Sequence, residues 1–490
     1  MKEIFFCILS FFSLLGCYSQ TNSGFNEFRN EILNRYSKER NAMLTDYQSF
    51  RSKINADYAD FLRNVWSNTT AFAPIHKPKD ENPIPPVVYD NEQDTTPVVI
   101  EPKPIRQTQP VPSPQPVCPI EENNHPGDKK LIKFYGLEIP IRIPNSQPTP
   151  TSFSEENIAA IWNQFSDGRY DNTLVDLLAI KNKNKLCDWA FLQLVEKLST
   201  EVYSDYNTSS LLTAWILCQS GFQIRIAQNN SKIGILFASN HVIFEKSYYI
   251  LDGMKYYPLR ENMSDVRICN VKFKGEKPLS LSITTEQFLG SNMSEKRAIK
   301  SSKYPSFCSS SSVNKNLIDF YNSFPTSAIG SNQISRWAIY ANTPFSSETK
   351  AILYPQLKEQ LKNCSTLEAA DKLLNLVQTG FKYEYDDKVW GHDRAFFAEE
   401  TLFYPYCDCE DRSILFSRLV RDLLGLDVAL VYYPGHMATA VCFNENVSGS
   451  AIVLNNRKYI ICDPTFIGAP VGAQMPNLQT NKIQAINLQR

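Results

Sequence analysis

Apolar residues recur every third or fourth position between residues 22 and 66: Phe25, Phe28, Ile32, Tyr36, Met43, Tyr47, Phe50, Ile54, Tyr58, Phe61 and Val65. That period predicts a long amphipathic helix, or two in succession. Aromatic residues fill the seam where a coiled coil would place Leu or Ile, so strict heptads fit poorly. Such a helix either docks on its own chain or binds a partner, a second copy included; periodicity does not separate the two. The pattern breaks over residues 71–130, where segments such as Pro83-Ile-Pro-Pro-Val and Pro110-Val-Pro-Ser-Pro predict an extended, disordered linker. Residues 131–143 alternate like a strand (Ile132, Phe134, Leu137, Ile139, Ile141, Ile143), and helical material is expected from Ser154 to about Ser204. Residues 262–345 mix strand-like runs, Val266 to Phe273 and Leu279 to Ile283, with a Ser-rich stretch around Ser301 to Ser312, which predicts a β-containing connecting region. Helices follow at Thr349–Lys362, Thr366–Gly380 and Ile414–Leu424, with Thr366 as N-cap and Gly380 as C-cap of the second. Strands are expected at 427–433, 437–443, 451–454 and 458–462, with residues 477–490 as a tail. The fold class this predicts is α+β, with helices packed on an antiparallel sheet.

A passage inside residues 131–261 looks like a faint copy of the region after residue 405. Asn207 to Ala227 lies without a gap over Asp411 to Val431, matching Ser209 to Ser413 and Gly221 to Gly425. Downstream, Tyr249-Ile-Leu-Asp252-Gly echoes Ile460-Ile-Cys-Asp463-Pro. The alignment sets Asp205 at the position of Cys409 and supplies no histidine for His436, so the first copy would lack thiol chemistry.

Composition narrows the function classes. At 490 residues the chain exceeds one ordinary core, so two or three domains are expected. A net charge of −1 argues against electrostatic nucleic-acid binding. Twelve cysteines over this length fall short of a disulfide scaffold. Met1 to Gln20 reads as an export signal, with Lys2 followed by an apolar run from Ile4 to Leu15 that is too short to span a bilayer. Leu14-Leu15-Gly16-Cys17 resembles a bacterial lipobox, which would make Cys17 the lipidated terminus; cleavage before Gln20 is the alternative. The lipoprotein reading is preferred, and either one predicts a periplasmic or cell-surface protein of a bacterium. The proline-rich spacer would then hold the rest of the chain off the membrane.

The candidate chemistry centres on Tyr406-Cys407-Asp408-Cys409-Glu410-Asp411-Arg412-Ser413, which leads into a predicted helix. A sulfur at a helix N-terminus meets free N–H groups and partial positive charge, both of which favour the thiolate. His436 follows in Pro434-Gly435-His436-Met437-Ala438, and Asp463 in Ile460-Ile461-Cys462-Asp463-Pro464-Thr465. Nucleophile, base and orienting carboxylate thus come in the order Cys409, His436, Asp463. Asp408 and Glu410 oppose thiolate formation, and the helix terminus and a protonated His436 must outweigh them. Asp411 is expected to cap the helix or to pair with Arg412 or Arg421. Cys407 with Cys409 gives only two metal ligands, so no metal is expected. His76 and His125 fall in the linker, His241 in the faint copy, and His392 precedes the cysteine. Cys442 and Cys462 are read as core thiols or as a disulfide.

Cys409-Glu410-Asp411 before a helix, a histidine on the following strand and Asp463-Pro464-Thr465 on the next closely resemble the transglutaminase-like superfamily of papain-fold cysteine enzymes. The resemblance covers residues 346–475 and implies a papain-like catalytic domain over residues 346–476. It implies acyl transfer on protein or peptide amides, with hydrolysis favoured over crosslinking and with no cofactor. The Cys409 N–H is expected as an oxyanion donor, with Trp390, Tyr406 and Gly435 as further oxyanion or substrate-binding candidates. The alternative is a non-catalytic binding or assembly module on a papain-like scaffold.

Overall fold

The computed structural model describes residues 23–78, 83–90, 96–105, 112–150, 152–230, 232–330 and 332–489. The predicted leader and Cys17 lie outside the described residues. The amphipathic stretch is one helix, α1 (Ser23–Asn64). Residues up to Ile54 form one unit and Asn55–Arg490 a second. Within the first, Phe28, Ile32, Tyr36, Met43 and Phe50 are exposed. Within the second, the last turns of α1 are buried through Asn55, Tyr58, Ala59 and Leu62. There the Asn55 carboxamide accepts from Trp162 Nε1 (3.1 Å) and Gln219 Nε2 (2.8 Å), and Tyr58 packs on the Trp162 ring. No helix among the described residues is long and apolar enough to cross a membrane.

The proline-rich stretch, expected as a disordered linker, is fixed to the second unit in its described parts. After β1 (Ser67–Thr70), it contributes β2 (Val87–Val88), β3 (Val99–Ile100) and β4 (Lys103–Ile105) to sheets formed much later in the chain. Further on, Cys118 is buried and Ser113 donates to Asp188. Proline favours an extended backbone without N–H donors, which suits short additions at sheet edges as well as it suits a spacer.

The second unit is α+β, with two large sheets backed by helices, antiparallel except where the short strands β3 and β4 add in parallel at the two edges of the second. Helix α2 (Tyr206–Gln219) precedes β5 (Ile224–Asn229), β6 (Lys232–Ala238), β7 (Tyr249–Leu251), β8 (Met254–Pro258) and β9 (Asp265–Cys269). These pair in the order β1-β9-β5-β6-β8-β7. In the C-terminal part, α3 (Thr366–Gly380) and α4 (Cys409–Leu424) precede β10 (Asp427–Tyr433), β11 (His436–Cys442), β12 (Ala451–Leu454), β13 (Arg457–Cys462), β14 (Phe466–Ile467) and β15 (Gln484–Asn487). Their sheet runs β3-β12-β13-β11-β10-β15-β4. The N-cap of α3 is Ser365, one residue before the one expected, because its hydroxyl reaches the Glu368 N–H.

The two sheets share one connectivity: β9-β5-β6-β8-β7 follows the same path after α2 that β15-β10-β11-β13-β12 follows after α4. Each helix is followed by a left-handed glycine, Gly221 at φ +88 and Gly425 at φ +65. Register makes the comparison residue by residue. Asn229 faces Lys232 at one hairpin and Tyr433 faces His436 at the other, so Lys232 stands at the position of His436. Pro258 faces Leu236 as Ile461 faces Ala440, which carries Asp463 onto Arg260 and not onto Asp252. Asp252 sits in the turn between β7 and β8 at φ +50, so the sequence echo around it was a turn matched to a strand end. Tyr206 opens α2 as Cys409 opens α4, with Lys232 4.6 Å and Arg260 4.8 Å from its ring.

Two buried ionisable groups in the part around α2 matter for stability. Arg225, fully buried on β5, is held by Glu276 through two hydrogen bonds of 2.7 and 2.9 Å. Burial also pushes His241 down to about 4. The unfolded chain takes up that proton near pH 6.5 and the folded chain only near 4. Stability present above pH 6.5 is therefore lost as pH falls through this window, about 3 kcal/mol in all. Urea unfolding from pH 7 to 4 should show that loss in the wild type relative to His241→Gln; parallel curves would contradict it.

Candidate active site

Helix α4 is buried almost throughout, with Ile414, Leu415, Leu419 and Val420 in the core and Leu423 and Leu424 half-buried. Its first residue is Cys409. Asp411 caps it, accepting the Asp408 N–H (3.2 Å) and also the Phe396 N–H (2.8 Å). Arg412 does not pair with Asp411. Its guanidinium donates to the carbonyls of Gln378 (3.1 Å) and Phe381 (2.8 Å) and lies over the Tyr383 ring. Ser413 donates to the Met437 carbonyl at 3.0 Å, pinning the start of α4 to β11.

His436 opens β11 after a two-residue turn, Pro434-Gly435, with Gly435 at φ +79. Proline followed by a left-handed glycine suits a type II turn. Its Nε2 donates to Asp463 Oδ2 at 2.8 Å, while Asp463 Oδ1 accepts the N–H groups of Thr465 (2.8 Å) and Phe466 (3.2 Å). One carboxylate oxygen thus shapes its own turn and the other orients the imidazole. His436 Nδ1 is buried with no hydrogen-bond partner among the described residues. The Met437 N–H, next along the chain, favours the charged form of the Cys409 thiol slightly. The three side chains are closed off from solvent, with Cys409 8% and His436 and Asp463 each 1% exposed.

Electrostatics at the thiol run against the helix terminus. Burial first, then the charges of Glu410 and Asp408, push Cys409 well above the ordinary thiol range. Its S–H donates to Glu410 Oε2 at 3.1 Å, and the Met437 N–H pulls only weakly the other way. The expected helix-terminus effect is therefore outweighed, because two carboxylates beside a buried sulfur cost the thiolate more than backbone dipoles return. Those acids belong to a larger group. Burial, then Glu410, pushes Asp386 up to about 8, and burial raises Asp408, Glu410 and Asp411. Ligand atoms of Asp408, Cys409 and Glu410, and of Asp386, Asp393 and Glu410, lie within 4.8 Å of one another. Those two groups are close enough to hold a cation, which the linear pattern did not indicate.

Trp390 stacks edge-on with Tyr404 (4.9 Å) and lies against Arg394 (4.4 Å), a local aromatic cluster. The Tyr406 ring is exposed. The Gly435 carbonyl accepts from the Ile84 N–H at 2.9 Å. His76 pairs with Glu245, His392 is exposed with Nδ1 on the Trp390 carbonyl, and neither joins Cys409. Cys442 and Cys462 are buried free thiols, not a disulfide.

Sequence reasoning missed Gln378. Buried in α3, its Nε2 donates to the carbonyls of Asp463 (3.0 Å), Phe466 (2.7 Å) and Ala469 (3.1 Å), and its Oε1 accepts the Gly468 N–H (3.1 Å). A lone glutamine in a helix gives no periodic signal; only the loop it braces reveals it. Gln378→Leu strands those backbone groups and should cost about 3 kcal/mol in urea unfolding. A loss under about 1 kcal/mol would mean the loop holds itself.

No family model matches the chain, and no curated protein or solved structure matches it.

Proposed function

We propose that the protein is a cysteine acyl-transfer enzyme acting on protein or peptide amides. The observation that carries this is the division of labour on His436: Nε2 is committed to Asp463, and Nδ1 is buried without a hydrogen-bond partner among the described residues, next in the chain to Met437, whose N–H acts on the Cys409 thiol. Nδ1 takes the thiol proton, and the sulfur bonds to the amide carbonyl carbon as the C–N bond breaks. The leaving amine departs with the proton from Nδ1, leaving a thioester on Cys409. Water then releases an acid, or a second amine forms a new amide, and the thiol is restored. The Cys409 N–H at the start of α4 is the nearest candidate donor to the oxyanion.

This reading agrees with the transglutaminase-like resemblance, and hydrolysis is preferred to crosslinking. The C-terminal layer is then the catalytic papain-like domain. The layer around α2 is its degenerate copy, carrying Lys232 and Arg260 where His436 and Asp463 would stand and Asp205, next to Tyr206, where Cys409 would. Export, with Cys17 as a lipid anchor and α1 as a self-association element, belongs to the same proposal.

A second reading, a non-catalytic binding module, is favoured by one observation: the Cys409 thiol is held protonated by Glu410 at 3.1 Å. Acylation of Cys409 by p-nitrophenyl acetate, followed by intact mass in wild type and His436→Gln, separates the two. A stoichiometric acylation that depends on His436 supports the enzyme; acylation indifferent to His436 leaves the scaffold.

A further inference from the structure

The Cys409, His436 and Asp463 side chains are closed, yet an acyl substrate must reach them, and one piece of chain lies beside both His436 and Asp463. The Ile84 N–H donates to the carbonyl of Gly435, the residue before His436. Val87 and Val88 pair in parallel with Phe466 and Ile467, three and four residues past Asp463. The Tyr89 N–H closes the run on the Ile467 carbonyl at 2.9 Å. Ile84, Val87 and Tyr89 pack on a small apolar floor of Phe466, Ala469, Ala473 and Met475, with Tyr89 edge-on to Phe466 at 5.3 Å. Just upstream, Lys77 forms an ion pair with Asp393, one of the carboxylates grouped with Glu410 beside Cys409. Ile84–Tyr89 therefore runs along the backbone next to His436 and just past Asp463.

We propose that this groove seats an extended, apolar peptide strand, and that the chain's own Ile84–Tyr89 occupies it in cis until a peptide in trans displaces it. The proposal rests on the acyl-transfer reading and names its substrate class. Three features make the occupant exchangeable. None of residues 83–90 is fully buried, whereas the floor beneath them is, so the segment adds little apolar area of its own. Pro85 and Pro86 have no N–H, which leaves two paired residues and a few main-chain bonds to hold it. Main-chain pairing with pockets for alternate side chains is a mode any extended peptide can copy, and proline lowers the ordering cost for this one. Lys77 on Asp393 tethers the strand and raises its local concentration.

The test follows iodoacetamide alkylation of Cys409 by peptide mass in the full chain. Val87→Asp with Tyr89→Ser should speed alkylation about tenfold by populating the open groove. The peptide acetyl-Pro-Ile-Pro-Pro-Val-Val-Tyr-Asp-amide, added in excess, should slow it again. An unchanged rate in a folded variant, or a fast rate that the peptide does not slow, overturns the proposal. Should the variant not fold, hydrogen exchange on the wild type decides. Excess peptide carrying Phe for Tyr must raise exchange at Ile84 and Tyr89, and protected amides there overturn the idea. The measurement stands apart from the enzymatic reading. A groove that opens while His436→Gln leaves acylation unchanged would keep the groove and discard the enzyme, and the converse result would do the opposite.

Discussion

Glutamine at His436 is expected to lower the acylation of Cys409 by p-nitrophenyl acetate about 10³-fold, within the range set by losing a positioned base. Glutamine is the informative choice because its amide can still donate to Asp463, which alanine would leave buried and unpaired. Stability should therefore change by about 1 kcal/mol or less, and circular dichroism melting would confirm that the fold is kept. The size of the effect follows from the geometry. Nδ1 is buried without a hydrogen-bond partner among the described residues, and burial with Glu410 and Asp408 keeps the thiol protonated in the absence of a base. Cys409→Ala in parallel should abolish acylation at that site, with mass mapping excluding the buried thiols. A His436→Gln rate within about threefold of wild type would remove the proton-transfer role assigned to His436.

The largest stability effect is expected far from this site. Glu276→Ala leaves Arg225 fully buried on β5 with its charge unmatched, although Asn270 Oδ1 (3.2 Å) and its own Ile224 carbonyl (2.7 Å) still accept from it. Breaking one partner of a buried pair costs about 3–5 kcal/mol, because the remaining charge cannot be solvated. Urea unfolding at pH 7 should show that loss. Glu276→Ala with Arg225→Met should recover part of it, since an apolar side chain needs no counter-charge. A loss below about 1 kcal/mol in the single variant would mean that water or the carbonyls suffice.

Much of the secondary structure was legible from local pattern. The alternation before residue 143 and the run after Cys409 each reflect a face buried at a fixed repeat, and the three-to-four period marked α1 even though Phe28, Ile32, Tyr36, Met43 and Phe50 are exposed on it. The bond between His436 and Asp463 was legible too, because residue type and order already paired a histidine with a carboxylate. Other features had no linear signal. The proline-rich stretch looked like a spacer because proline supplies few local contacts, yet β2, β3 and β4 pair with strands more than 300 residues later in the chain. The repeat was visible near Gly221 and Gly425, but register alone placed Lys232 and Arg260 at the equivalent positions and removed Asp252.

The sequence by itself determined the main helices and strands outside the expected linker and tail, the α+β class and the identity of Cys409, His436 and Asp463 as candidates, since these depend on residue type and short-range spacing. Only the tertiary structure decided the environment of the thiol. Gln378, Asp386 and Asp393 reach the site from the stretch shortly before Cys409, and Ile84–Tyr89 comes to the neighbouring backbone from hundreds of residues upstream. The charges of Asp408 and Glu410 beside Cys409 were legible in the sequence, whereas the burial that adds most to the cost of the thiolate exists only once the chain is packed.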